Sequence, residues 1–338
     1  MVSIFNKPTI KDVAKKSNVS VATVSRILNN LEGYSEATRK KVMQVVDEIG
    51  YQRNDVARNL KIKSTHTIGV LLPNVSTNFY MEILTGIEES AHVKGYSVII
   101  CNAGDNGKRT EEYVRVMIER QIDGIIVCSL PPEKSLIKKI IGVNIPVVLV
   151  STVYNGYSIP YIKVDDYKAS YAAVEYLIKS GHKKIAMIGG PKEDSIAGFP
   201  RLKGFTQALK DNKLNAEESL IKNYGFSFQD GITSMEELLR EKEEFTAIFA
   251  ACDDSAVGAL SVAHNRGLKV PEDISIIGYD NTKVAEMAYP PLTTLAQPFY
   301  EMGEKAVEML IKRISLEDEV QNVIMPFKII KRDTVKRT

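Results

Sequence analysis

The sequence predicts an α/β protein in which an all-α headpiece precedes a body of parallel sheets arranged as two lobes. Three observations predict it. From Thr67 onward, apolar runs bounded by Gly, Pro or Asn recur: TIGVLLPNV, YSVIICNAG, DGIIVCSL, PVVLVST, KIAMIGG, TAIFAACDD and ISIIGYD. Amphipathic stretches such as FYMEILTGIEESAHVKG, KASYAAVEYLIKSG and AVGALSVAHNRG lie between most of them. Buried runs alternating with helices are the pattern of parallel sheets covered on both faces. The third observation is the head. Residues 1–63 carry short helical patterns and hold twelve Lys/Arg against six Asp/Glu, whereas the remainder holds 32 basic and 36 acidic residues.

The 338 residues are 44% hydrophobic and 25% charged, an ordinary globular composition. A body of about 270 residues exceeds one comfortable core, which is why two lobes are expected. No stretch reaches the ~18 apolar residues that span a bilayer, and MVSIFNKPTI has no apolar core of signal-peptide length. A cytoplasmic protein with no membrane partner is therefore expected. Cys101, Cys128 and Cys252 are far apart inside apolar runs and read as reduced core thiols. His66, His92, His182 and His264 show no metal-ligand spacing, so neither metal nor cofactor is expected. A basic head on an acidic body suits a polyanion partner, although a solvated basic face would look the same.

The head opens with TIKDVAKKSNVSVATVSRILNN, Thr9 to Asn30. Thr9 caps a first helix, with Asp12 three residues on completing a capping-box pair. Ile10, Val13 and Ala14 form its apolar stripe, and the helix should stop near Ser17–Asn18, where Asn tolerates a turn conformation. Ser20 caps a second helix that turns Val24, Ile27 and Leu28 inward. Ser35 opens a third, EATRKKVMQVVDEI, which buries Val42, Val45, Val46 and Ile49 and ends at Gly50. Two short helices joined by a tight turn and backed by a third make helix-turn-helix geometry, whose second helix enters the DNA major groove. The outward residues fit that task. Arg26 can pair bidentately with guanine. Ser20, Thr23, Ser25 and Asn29 can bond phosphates or base edges, as Thr9 can at the start of the first helix. Val21 and Ala22 suit thymine methyl groups. A helical bundle with a polar face would show the same pattern, and the residues alone leave both readings open.

The stretch from TIKDVAKKSNVSVATVSRILNN through SEATRKKVMQVVDEIGYQRNDVARNLK closely resembles the headpiece of the lactose/galactose repressor (LacI/GalR) family. The resemblance implies a sequence-specific transcription regulator. Its operator-reading surface would be Ser20, Val21, Ala22, Ser25, Arg26 and Asn29, facing a pseudo-palindromic duplex. It also implies a body like the periplasmic binding proteins.

The segment YQRNDVARNLKIKST follows. Asn54 can cap a short helix through DVARNLK, which is too short to stand alone in water; a flexible linker is the other reading. The resemblance implies a hinge helix whose partner is its own copy in the minor groove. Leu60 then matches the leucine that wedges a central base step, and Arg58 is placed for a phosphate. Two departures stand here: Arg53 replaces a usual proline, and Lys61 replaces a usual small residue.

In open parallel sheets, ligands bind beyond the C-terminal ends of strands. Those ends carry Phe79 and Tyr80 after VLLPNVSTN, Ser151 after PVVLV, and Arg201 in PKEDSIAGFPR. They also carry Phe226 in NYGF, Cys252 and Asp253 in IFAACDD, Asp280 in IIGYD, and Gln297 in LTTLAQ. Aromatic faces mixed with Arg, Asp and Gln suit a sugar-like ligand. Singly, each has a plainer reading as core ring, helix cap or ion pair. The resemblance implies effector contacts for Arg201 in RLKGF, Asp280 in GYDN and Gln297, with Phe79, Tyr80, Ser151, Ser195 and Phe226 in effector-facing columns. Purine-responding members carry an arginine where this chain has Ser195, which points instead to a sugar or sugar phosphate. Cys252 stands where sugar-responding members can use asparagine.

The expected organisation is a headpiece over 1–50, a hinge over 51–65 and a core over 66–338. The resemblance places one lobe at 66–164 and 297–324 and the other at 165–296 and 325–338. The tail KIIKRDTVKRT has no leucine heptads, so a homodimer is expected and not a coiled-coil tetramer. Three rivals were open. An enzyme lacks support, since no G-x-G-x-x-G follows the first strand and neither a P-loop nor G-x-S-x-G is present. An exported solute-binding protein fits the body but not the basic head. A catabolite-control regulator answering to a phosphorylated carrier protein fits the frame YEMGEKAVEMLIK, although Glu308 stands near the position where that group has an arginine.

Overall fold

The structure is a computed structural model and describes residues 8–51, 64–74, 78–104, 107–130, 134–154, 156–241, 244–316 and 320–337. The chain divides into two units, Met1–Thr65 and His66–Thr338.

Three helices make the first unit: α1 (Ile10–Ser17), α2 (Val21–Leu28) and α3 (Glu36–Ile49). Each is delimited by local chemistry. The Asp12 carboxylate accepts from the Thr9 amide at 2.8 Å and from its hydroxyl at 2.7 Å, which fixes the start of α1. Those bonds hold the Asp12 carboxyl below the usual carboxylate range. Asn18 ends α1 in the left-handed conformation, φ 50°, a cost that asparagine tolerates. Ser20 then accepts from the Thr23 amide at 3.0 Å to open α2, and Ser35 does the same for Thr38 at 3.2 Å in α3. Gly50 closes α3 at φ 63°. Val13, Ala14, Val24, Ile27, Val42 and Val45 are the buried core. Ile10, Leu28, Val46 and Ile49, expected inside, are half-buried and pack against its edge.

The second unit contains two six-stranded sheets. The first orders its strands β11-β5-β4-β3-β1-β2, drawn from β1 (Thr67–Leu72), β2 (Ser97–Asn102), β3 (Gly124–Cys128), β4 (Val147–Val150), β5 (Tyr161–Val164) and β11 (Val323–Met325). The second runs β12-β10-β9-β8-β6-β7, from β6 (Ile185–Ile188), β7 (Ile221–Lys222), β8 (Ala247–Ala250), β9 (Ser275–Asp280), β10 (Thr293–Ala296) and β12 (Lys328–Ile330). All pairings are parallel except β10 with β12. The central strands β3, β4, β6, β8 and β9 are buried along their whole length. Burial on both faces is why they read as unbroken apolar runs and not as alternation.

Between the strands of the first sheet lie α4 (Asn78–Val93), α5 (Thr110–Glu119) and α6 (Lys134–Gly142). The second sheet is flanked by α7 (Asp166–Lys179), α8 (Gly198–Asp211), α9 (Phe228–Leu238), α10 (Asp253–Asn265) and α11 (Lys283–Met287). The chain passes between sheets three times: from β5 into α7, from β10 into α12 (Phe299–Ile314), and from β11 to β12. The last helix returns to the first lobe and lies against α4 at backbone distance. A methyl group at Gly86 would run into the Tyr300 carbonyl oxygen, and one at Gly303 into that of Ile83.

Backbone cannot move aside as a flexible side chain can. Gly86→Ala and Gly303→Ala are each expected to destabilise the protein by about 1–3 kcal/mol through overpacking. Urea titration followed by circular dichroism measures this, and midpoints equal to wild type would show that the two helices can part freely.

Candidate functional site

Two surfaces bring the singled-out residues together, one in each unit. On the first, α2 turns Val21, Ala22 and Arg26 outward, and Val21 is 43% exposed. Ser20 is exposed at the cap, while Thr23, Ser25 and Asn29 are half-buried. Thr9 is exposed at the start of α1, its hydroxyl donated to Asp12. Asn29 turns its amide nitrogen back to the Ser25 carbonyl at 2.6 Å, so it also closes α2. The Arg26 guanidinium lies 3.4 Å from the Glu32 carbonyl. Gly33, at φ 106°, makes room for it, because a side chain there would meet the Arg26 Nη1. Asn54, Arg58 and Leu60, with Arg53 and Lys61, lie outside the described residues.

The second surface is a cavity of about 690 Å³ between the two sheets, beyond the C-terminal ends of their strands. Phe79, Tyr80 and Ser151 line it from the first lobe. Ser195, Arg201, Phe226, Cys252 and Asp280 line it from the second, and Gln297 sits at the β10–α12 crossing. Phe79 makes edge contacts with Tyr80 and Phe299, both at 4.6 Å between ring centroids, so the aromatic wall is rigid.

Arg201, from the first turn of α8, is 6% exposed. Its Nε donates to Asp166 at 2.9 Å, its Nη1 to the Ala251 carbonyl at the end of β8, and its Nη2 lies 4.0 Å from Asp280. Its carbon lies 3.8 Å from the Tyr279 ring centroid and 5.6 Å from that of Phe226. Asp166 also accepts from the Tyr279 hydroxyl at 3.2 Å and pairs with Lys163 at 3.2 Å. Gln297 donates to Asp280 at 2.8 Å. Burial raises the Asp280 carboxyl, the Arg201 charge and the Gln297 bond oppose the rise, and the result is about 7. Three strand ends carry positive φ at non-glycine residues: Ser129 at 48°, Ser151 at 53° and Asp280 at 112°. Backbone held in such regions clusters at binding sites. Burial pushes the Cys252 thiol up and out of reach of ionisation. It donates to the Phe226 carbonyl at 2.9 Å, which makes it a wall and not a nucleophile.

One expectation is corrected. Asp253 does not face the cavity. It is 1% exposed, and its carboxylate accepts from the Thr282 amide and hydroxyl and from the Thr294 hydroxyl. It ties the start of α10 to β10 and the loop after β9. Its neighbour Asp254 lines the cavity instead, because successive residues of a helix point about 100° apart. Lys163 and Asp166 were missed as well. The signal for them was KVDD, a lysine and paired carboxylates directly after the apolar part of β5.

Residues 9–54 match the family described as bacterial regulatory proteins, lacI family, and residues 65–333 match periplasmic binding proteins and sugar binding domain of LacI family. The chain is 37% identical over 329 residues to catabolite control protein A of Priestia megaterium, covering 97% of this chain and 99% of that protein. It is 39% identical over 332 residues to the HTH-type transcriptional regulator RegA of Clostridium acetobutylicum, again covering 97% and 99%. It is similar in structure to the lac repressor dimer bound to operator and the anti-inducer ONPF. The TM-score is 0.88 at 28% identity, over 98% of this chain and 100% of that one.

The Asp280 proton has a thermodynamic consequence. The unfolded chain releases it near pH 4, whereas the folded protein keeps it to about pH 7. Over that window the native state binds more protons, so this group's contribution to stability falls as pH rises and is level above about 7. The stability difference between wild type and Asp280→Asn, measured by urea titration at pH 4.5 and pH 7.5, is expected to shift against wild type at the higher pH. A difference independent of pH would show that the carboxyl titrates normally.

Proposed function

The chain belongs to the LacI family of bacterial regulatory proteins and is a DNA-binding transcriptional regulator; from that premise we propose how its two surfaces work. The exposed face of α2 reads the operator major groove. Arg26 addresses a guanine, Val21 and Ala22 meet thymine methyl groups, and Ser20, Thr23, Ser25 and Asn29 with Thr9 position the helix against phosphates and base edges. Two copies of the chain form a homodimer on a pseudo-palindromic site in the cytoplasm. The segment with Asn54, Arg58 and Leu60 joins in the minor groove, where Leu60 wedges a base step.

The cavity holds a small sugar-like effector. The observation that carries this is the buried Arg201, set in a ring of hydrogen-bonding carboxylates and aromatic faces at the strand ends of both sheets. Hydroxyl groups are met by paired charged groups, and C–H faces by Phe79 and Phe226. A ligand that touches both lobes binds one lobe orientation better than another. By that differential affinity it shifts the two-lobe equilibrium, a coupling of about 1–3 kcal/mol.

Similarity to catabolite control protein A supports a second reading, in which a phosphorylated carrier protein is the corepressor. Glu308 tempers it. It lies on α12 paired with Lys305 at 2.8 Å, a negative charge where carrier docking would want a positive one.

Binding to a palindromic duplex, titrated with sugars and sugar phosphates at fixed salt, tests the proposal. A response confined to the palindrome supports a small effector; a response to phosphorylated carrier protein alone supports the second reading. Arg201→Lys keeps the charge but loses the planar fork. It and Asp280→Asn are each expected to weaken the effector response at least about tenfold, a loss of ~1.4 kcal/mol, while operator binding persists. Arg26→Ala should cost about 1–3 kcal/mol of discrimination at one base position. Leu60→Ala should weaken binding to the palindrome far more than to a scrambled duplex, and equal loss on both would count against the wedge.

A further inference from the structure

Five carboxylates and two cations line the cavity: Asp166, Glu193, Asp194, Asp254 and Asp280 against Lys163 and Arg201. Both cations reach one carboxylate, Asp166, at 3.2 and 2.9 Å, and Arg201 also lies 4.0 Å from Asp280. The other acids are not so balanced. Asp194 accepts from the amides of Ile196 and Gly198. Asp280, 7% exposed, accepts from Gln297 through Oδ1, and among the described residues no donor meets its Oδ2. Asp254 has no donor among the described residues at all, and its charge adds to the burden on Asp280. Among the described residues, the cavity thus presents one carboxylate, Asp254, that no donor and no cation answers, beside an Asp280 Oδ2 that no donor meets.

Helix N-termini are where a phosphate ordinarily binds. Three helices begin at this cavity, and each has its own carboxylate there: Asp166 in α7, Asp194 before α8, and Asp254 in α10. The exposed N–H groups and the positive ends of the dipoles are already matched by negative charge. A phosphate ester would meet that charge without compensation. An ammonium group would meet the open carboxylate of Asp254.

We propose that the cavity selects polyhydroxylated ligands bearing a protonated amine over the neutral parent sugar, with Asp254 as the acceptor of the amine, and rejects phosphate esters. This rests on the cavity being the effector site. It narrows the ligand from sugars in general to amino sugars.

The experiment is isothermal titration of the full-length protein with matched sets in the gluco, galacto and manno series: the 2-amino-2-deoxyhexose, the parent hexose and the hexose 6-phosphate. In the series that binds, the amino sugar is expected at least tenfold tighter than the parent, with the phosphate weaker than both. Asp254→Asn should close the gap between amino sugar and parent. A phosphate that binds as tightly as the parent, an amino sugar no better than the parent, or a gap that survives Asp254→Asn overturns the proposal. In those cases the effector-site reading stands if Arg201→Lys weakens the parent hexose. Binding by no member of any series overturns both.

Discussion

A guanidinium cannot shed its charge, and the second lobe is organised around one that is almost wholly buried. Arg201 needs an anion, a carbonyl and a π-face within reach, or its burial would cost several kcal/mol. The chain supplies these from three places: Asp166 just after the first crossing, the Ala251 carbonyl at the end of β8, and Tyr279 and Asp280 at the end of β9. Each must sit at one depth and one angle, so the register of β8 and β9 and the start of α7 are fixed together. The same requirement places Asp280 at a backbone conformation few residues adopt. What reads as a binding site is also the clamp of the lobe.

The architecture was legible because burial on both faces leaves no freedom in a central parallel strand. IIVC, VVLV, AIFA and SIIG can be little else. The headpiece was legible for another reason, its caps: Thr9 with Asp12, Asn18, Ser20, Ser35 and Gly50 mark every boundary except the end of α2. Strand ends then found the cavity, since all of the residues named there line it except Asp253. That exception is instructive. Two adjacent aspartates open α10, and composition does not say which one turns inward. Asp166 and Lys163 escaped for a similar reason. They stand at a crossing between sheets, and spacing along the chain does not show where a strand leaves one sheet and the next element joins another. Only the family resemblance supplied the crossings.

The cavity belongs to neither lobe alone. Phe79, Tyr80, Ser151 and Lys163 come from one, Arg201, Phe226 and Asp280 from the other, and Gln297 from the chain that passes between. A site on one lobe could be filled without any bearing on the other. A site shared in this way makes ligand occupancy and lobe orientation a single equilibrium.

The seam of glycines between α4 and α12 bears on how such an orientation change would be transmitted. With Gly86 against Tyr300 and Gly303 against Ile83, backbone meets backbone, and no side chain lies between to act as a cushion. The two helices form one stiff beam on the first lobe. The beam begins directly after Gln297 and Pro298, so at that crossing the give in the joint is confined to a couple of residues. A short pivot beside a stiff arm converts a small displacement at Gln297 into a larger sweep at the far end of the helix, as a lever does. Loosening the seam would blunt that mechanical reach.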